Sequence, residues 1–114
     1  MDFFGRMKII SWNVNGIRAV VKKGFCERVQ RENPDILCLQ ETKAFVTQMP
    51  AEAKFALKNY EMVWHVGERP GYSGTAIFWR DFPGVVETTN LFEDEPIFHD
   101  DGRMTMLEIG EKLV

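Results

Sequence analysis

Apolar residues recur along this chain in short blocks, at 8–12, 36–40, 62–66, 76–79, 85–89 and 104–109, and each block predicts a β-strand. Several blocks lack a clean apolar–polar alternation: Ile9-Ile10, Met62-Val63-Trp64 and Ala76-Ile77-Phe78-Trp79 are apolar on both sides. Strands of that kind need cover on both faces. Between the first two blocks, 17–33 reads as helix, with Phe25, Cys26 and Val29 forming its buried stripe and Gly24 marking a point where it divides into two pieces. Pro34-Asp35 stops it, because proline lacks an amide donor and biases the preceding residue away from helix. A second helix starts near Pro50, a favoured first-turn residue, and places Met49, Ala53, Ala56, Leu57 and Tyr60 on one face. Gly- and Pro-containing turns join the later strands, and no repeat, low-complexity tract or linker interrupts the chain.

The order strand, helix, strand at the start has a geometric consequence. Two strands of one sheet joined by a helical crossover run parallel, so their carboxyl ends share a rim, and that rim is where open α/β sheets place ligand sites. Asn13 and Glu41 stand immediately past the two strands and should therefore converge. A carboxylate there suits a hard cation, since Mg²⁺ commonly takes one or two protein carboxylates and completes its shell with water and phosphate oxygens. The plainer alternative for Glu41 is a solvated strand-end acid paired with Lys43. Asn15-Gly16 reads first as a turn, which leaves Asn13 as the asparagine with a site role. Arg18, Lys22 and Lys23 form either a phosphate-binding patch beside the corner or an ordinary solvated helix surface. Gly71-Tyr72-Ser73-Gly74 is a glycine-flanked aromatic loop that offers backbone amides and a hydroxyl, or simply turns the chain. His65 and His99 have no Ser or Cys partner at an informative spacing and are given no catalytic role. Asp94, Glu95, Asp100 and Asp101 read as solvated loop acids.

Composition narrows this picture without redirecting it. The 114 residues suffice for one small α/β domain, and 45% hydrophobic content with nine Phe and three Trp supports a packed core. A net charge of −3 carries no bulk signature of nucleic-acid binding, so any such binding must rest on a local basic patch. Cys26 and Cys38 lie within apolar patterns and are expected as buried free thiols of a reducing, cytoplasmic compartment. No run approaches the roughly 18 apolar residues of a membrane span, and no membrane partner is expected. Residues 1–7 read as a short extension ahead of a second candidate start at Met7, without the apolar core of a signal peptide.

The segment from Lys8 through Asn13-Val14-Asn15-Gly16-Ile17-Arg18-Ala19 resembles the first motif of the exonuclease III class of apurinic/apyrimidinic endonucleases. Pro34-Asp35-Ile36-Leu37-Cys38-Leu39-Gln40-Glu41-Thr42-Lys43 resembles the second, Gly71-Tyr72-Ser73-Gly74-Thr75-Ala76 the third, and Asp101-Gly102-Arg103 the turn before a core strand. The resemblance implies a four-layer α-β-β-α sandwich, of which residues 8–114 would form the amino-terminal half: one mixed β-sheet with two main helices on one face. It implies Mg²⁺-dependent hydrolysis 5′ to an abasic site in double-stranded DNA, with 3′–5′ exonuclease activity and Mn²⁺ as a substitute metal. Carried over by position, Glu41 would be a metal ligand and Asn13 a metal-site or phosphate-orienting residue, the two forming the catalytic corner. Asn15 and Lys43 would support it, with Asn15 a neutral amide where some relatives carry Asp. Arg18, Ala19 and Lys23 would touch the DNA backbone, and Gly71 and Tyr72 would approach the strand near the lesion.

Members of that class continue with a Tyr-Pro-Asn segment, a Gly-Asp-x-Asn loop and a terminal Asp-His pair, none of which occurs in these 114 residues. Groups that act as a unit in catalysis lose many orders of magnitude when split, so the chain alone is expected to have little or no nuclease activity. Two rivals follow. One is a non-catalytic binding module that pairs with a second copy through an uncovered apolar sheet face, and the other is one chain of a split enzyme.

Overall fold

The computed structural model describes residues 7–66, 71–80, 85–89 and 106–110. Residues 1–6 of the expected extension lie outside the described residues, as do Asp94, Glu95, His99, Asp100 and the Asp101-Gly102-Arg103 turn. The chain opens with β1 (Ile9–Asn13), α1 (Ile17–Val21), α2 (Phe25–Glu32) and β2 (Ile36–Gln40). A one-turn 3₁₀ segment, Val46–Gln48, leads into α3 (Ala51–Ala56), followed by β3 (Glu61–His65) and β4 (Thr75–Trp79). Two further strands, β5 (Val85–Thr89) and β6 (Met106–Gly110), pair antiparallel with each other.

The first four strands form one mixed sheet in the order β1-β2-β4-β3. β1 and β2 run parallel, with Ile9 opposite Ile36 and Asn13 opposite Gln40. β4 runs antiparallel to both of its neighbours. The parallel pair is the arrangement that the strand–helix–strand order predicts. Its lower end is tied by a compact set of bonds: the Asp35 carboxylate accepts from the Lys8 amide at 2.8 Å, and the Asp35 and Ile36 amides donate back to the Lys8 carbonyl at 2.8 and 3.1 Å.

The helix divides where expected. Gly24 takes a left-handed conformation, φ 95°, which ends the first piece and starts the second at a residue without a Cβ to clash. α2 then closes on Asn33, also left-handed, whose amide bonds the Val29 carbonyl at 2.8 Å. α3 is shorter than its periodic pattern suggests. Met49, Ala53 and Leu57 are buried as the pattern requires, but regular hydrogen bonding covers only the six residues Ala51–Ala56.

All three helices pack on one face of the sheet. Ile17, Val20, Phe25, Val29, Ala53 and Leu57 meet Leu37, Leu39, Ala76 and Phe78 in one apolar cluster. Two aromatic pairs stiffen it: Trp12 lies 5.2 Å from Phe25, and Trp64 meets Phe78 edge-on at 6.3 Å.

The second face departs from the expectation of a bare apolar surface. Ile36 and Ile77, at its centre, are only 6% and 8% exposed, with Cys38, Val63 and Trp79 packed against them. Among the described residues, Ile9 is the large apolar side chain left open on that face, at 59% exposure. Pairing of two copies through this face would therefore start from its edge, at Ile9, rather than from a bare centre.

Both cysteines are free thiols and partly, rather than fully, buried. Burial pushes the Cys38 thiol above its ordinary pKa. Cys26 is pushed up chiefly by burial and further by the nearby carboxylates Glu27 and Glu52. Because the thiolate is the reactive form, both should modify more slowly than a free thiol at neutral pH, with rates that climb as pH is raised. Stopped-flow reaction with a disulfide reagent between pH 7 and 9 checks this, and free-thiol rates at pH 7 would contradict it.

Candidate active site

The corner forms at the carboxyl ends of β1 and β2. Register places Asn13 beside Gln40, so the next residue, Glu41, turns over the rim toward it. There the Asn13 Nδ2 donates to Glu41 Oε2. The other end of the Asn13 amide is engaged too: Oδ1 accepts from the Asn15 backbone amide at 3.1 Å, an Asx turn that fixes the side-chain plane. Asn15 is thus the turn residue that its Asn-Gly context suggests, with φ 48°. It also has a second use, because its Oδ1 accepts from Lys43 Nζ at 2.5 Å. The same ammonium stands 3.8 Å from Glu41 Oε1. One carboxylate, two amides and one ammonium therefore form a closed ring of contacts around the rim.

The loop after β2 has an unusual backbone that supplies this ring. Glu41 and Lys43 both take left-handed φ values of 54°, on either side of Thr42, which is completely buried. The carbonyls of Glu41 and Thr42 accept from the amides of Gly16 and Ile17 at 2.7 and 2.9 Å, and so join the loop to the start of α1. On its other side the Thr42 and Lys43 amides donate to the carbonyls of Gly74 and Ser73 at 3.1 and 2.8 Å. Arg18 braces the outside through Nη2 to the Lys43 carbonyl at 3.2 Å.

A cleft of about 400 Å³ opens beside the ring, lined by Gln40, Glu41, Lys43, Tyr72, Ser73, Gly74 and Thr75. Its floor continues a polar row along one register line of the sheet, Asn13, Gln40, Thr75 and His65. Gln40 Nε2 is held by Ser11 Oγ at 3.0 Å. Of the residues singled out from sequence, Asn13, Asn15, Arg18, Glu41 and Lys43 are brought together. Tyr72 lies on the cleft wall, 63% exposed, next to Gly71 at the mouth of the loop. Ala19 and Lys23 lie exposed on α1 and the turn after it. Sequence reasoning missed Gln40, Thr42 and Thr75 as parts of the site, whereas Ser73 lies in the loop it singled out. Thr42 was legible in principle, being the one residue between two candidate functional side chains.

No group of three or more His, Cys, Asp or Glu side chains occurs among the described residues. The donor set at the corner nevertheless fits a hard divalent ion. Glu41 presents a carboxylate whose side chain is 45% exposed at the edge of a polar cleft, and Mg²⁺ needs no more than one or two such ligands. Asn13 contributes by orienting the carboxylate, since both ends of its amide already have partners.

This is an α/β sheet protein with a carboxylate–amide corner at its strand ends, and comparison with known proteins places it. A model of the Endonuclease/Exonuclease/phosphatase family matches residues 10–110, and the chain belongs to that family. It is 45% identical over 107 residues to the DNA repair nuclease APEX1 of Danio rerio, covering 92% of this chain and 33% of that protein. It is 44% identical over 78 residues to an exodeoxyribonuclease of Bacillus subtilis, covering 68% of this chain and 29% of the relative. Among solved structures, an AP endonuclease from Archaeoglobus fulgidus superposes with a TM-score of 0.66 at 32% identity, over 91% of this chain and 37% of that one. The chain thus spans about a third or less of the length of these curated relatives. No helix among the described residues is long and apolar enough to cross a membrane.

Proposed function

We propose that this chain supplies the amino-terminal, metal-holding side of a DNA-repair nuclease that hydrolyses the phosphodiester 5′ to abasic sites, with 3′–5′ exonuclease activity. The Asn13–Glu41 hydrogen bond across the strand rim carries this reading, because it holds a half-exposed carboxylate at the edge of a polar cleft of about 400 Å³, roomy enough for a sugar–phosphate unit. Kinship to proteins named as DNA repair nuclease and exodeoxyribonuclease supports it. Residues 8–114 are proposed as the amino-terminal half of the nuclease domain, acting in the cytoplasm.

Glu41 would hold Mg²⁺, or Mn²⁺ in its place, with Asn13 fixing the carboxylate's rotation. When bound, that ion would neutralise charge on a phosphate oxygen and polarise the phosphorus toward attack. Lys43, already ordered by Asn15 and Glu41, adds a fixed positive charge on the same rim, available to a second phosphate oxygen. The Ser73 hydroxyl and the Tyr72 ring, both on the cleft lining, would present a wall against which a sugar or an extruded backbone can rest. Arg18 and Lys23 would contact flanking phosphates and Ala19 would pack against the backbone between them. These groups reach the phosphate from one side, so turnover by the 114 residues alone is expected to fall far below that of a complete nuclease.

Equilibrium binding of a duplex with a single abasic site, measured with and without Mg²⁺ and with the Glu41→Gln variant as control, tests the assignment without relying on turnover. Binding that Mg²⁺ strengthens equally in wild type and variant, or that Mg²⁺ leaves unchanged in both, would overturn it. The basic surface has its own check. Each phosphate contact contributes about 0.9 to the slope of log affinity against log salt, so Lys23→Ala should flatten the DNA-binding slope by about that amount at any sequence. An unchanged slope would remove Lys23 from the interface.

A further inference from the structure

The Thr42–Gly74 contact has no role in the ring described above, yet it is the most constrained point beside it. Thr42 is fully buried, and its Oγ1 makes no hydrogen bond among the described residues. A buried hydroxyl without a partner is costly, so retaining one points to a steric demand rather than to a bonding role. The hydroxyl lies against the bare side of Gly74. A Cβ built on Gly74 would come closer than 3.0 Å to Thr42 Oγ1, nearer than real Cβ atoms approach, and would lie 3.4 Å from the Lys43 amide nitrogen. Gly74 is itself at φ +98°, a conformation that side-chain-bearing residues rarely adopt.

Thr42 also sits between the two left-handed residues, Glu41 and Lys43, and both neighbouring side chains turn outward to line the cleft. Its amide and that of Lys43 end on the Ser73–Gly74 carbonyls, so the inward wedge and the outward pair share one anchor. We infer that Thr42 and Gly74 act together as a positioning lock: the threonine side chain, seated against the open side of the glycine, holds the 41–43 segment in the left-handed shape that presents Glu41 and Lys43 to the same phosphate. The lock rests on the active-site reading for its purpose, but its existence is testable without metal or substrate.

The test is amide hydrogen exchange followed by NMR on the full chain, with Thr42 and Lys43 amides measured against those of β2. Gly74→Ala should accelerate exchange at those two amides about tenfold over the β2 amides and shift the Asn13 side-chain amide resonance, because local opening is read separately from global unfolding. Adding Thr42→Ala to Gly74→Ala removes the clash with the hydroxyl but not the strain of a side chain at φ +98°, so the pair should lose clearly less protection than the sum of the two single variants, a non-additive coupling of neighbours. Thr42→Ala alone empties the seat and should raise local exchange severalfold, and it carries the test if Gly74→Ala does not fold. Wild-type exchange in the single variants, or purely additive behaviour in the pair, overturns the lock. Mn²⁺ affinity, measured by water-proton relaxation, should fall in the same variants. A wild-type chain that binds no Mn²⁺ would sink the metal assignment of the corner while leaving the exchange result to judge the lock.

Discussion

Replacing Glu41 with Gln should abolish measurable divalent-ion binding at the corner and with it any metal-dependent cleavage, while leaving the fold intact. The attraction between one negative charge and a divalent ion at a contact of about 2 Å is about 4 kcal/mol even at the dielectric constant of water. Removing the charge while keeping a neutral oxygen forfeits most of that, roughly a hundredfold or more in affinity. Stability has little at stake. Glutamine still offers an acceptor to Asn13 Nδ2, and the lost Glu41–Lys43 pair is a surface contact, 45% and 36% exposed, of the kind that contributes little. Mn²⁺ titration by water-proton relaxation and thermal unfolding of the same sample separate the two effects. Undiminished Mn²⁺ binding by the variant would show that the carboxylate is only a solvated strand-end acid.

The largest stability effect is expected at Phe25, in the core between the helices and the sheet. Its side chain is wholly buried, directly after the Gly24 break, and packs on Trp12 of β1 at 5.2 Å. It is therefore the point at which the second helical piece grips the sheet. Phe25→Ala should cost about 3–5 kcal/mol, the usual range for a phenylalanine removed from a packed core. Set against a total of about 5–15 kcal/mol for a folded domain, that loss leaves the chain marginal. Urea unfolding monitored by tryptophan fluorescence reads the change directly, since Trp12 is the aromatic neighbour. A loss below about 1 kcal/mol would mean that the core closes over the gap, and the role given to this contact would be wrong.

These two positions illustrate unequal legibility. Phe25 was readable as core from helical periodicity alone, because a buried stripe repeats at a spacing any 3.6-residue helix must show. The convergence of Asn13 and Glu41 was readable for a different reason: chain topology, not local pattern, brings the ends of parallel strands to one rim. The cleft wall was less accessible. Gln40 looked like the last residue of an apolar strand, and Thr75 like the first residue of another. Only their pairing across β2 and β4 shows that they continue one polar row from Asn13. The expectation of an uncovered second sheet face failed for a related reason. An apolar strand surface shows that cover is needed, but it does not say whether the same chain supplies it, and here Ile36 and Ile77 are buried within one chain.

By itself the amino-acid sequence determined the strands, the break at Gly24, the stop at Pro34 and the meeting of residues 13 and 41, because each follows from local periodicity, backbone limits or the handedness of a crossover. Tertiary structure alone decided that Asn13 spends both ends of its amide on Glu41 and Asn15, and that Lys43 is shared between Asn15 and Glu41. It alone placed a buried threonine against a bare glycine. Such choices depend on distances of a few tenths of an ångström between segments remote in sequence, and no pattern of residue types encodes them.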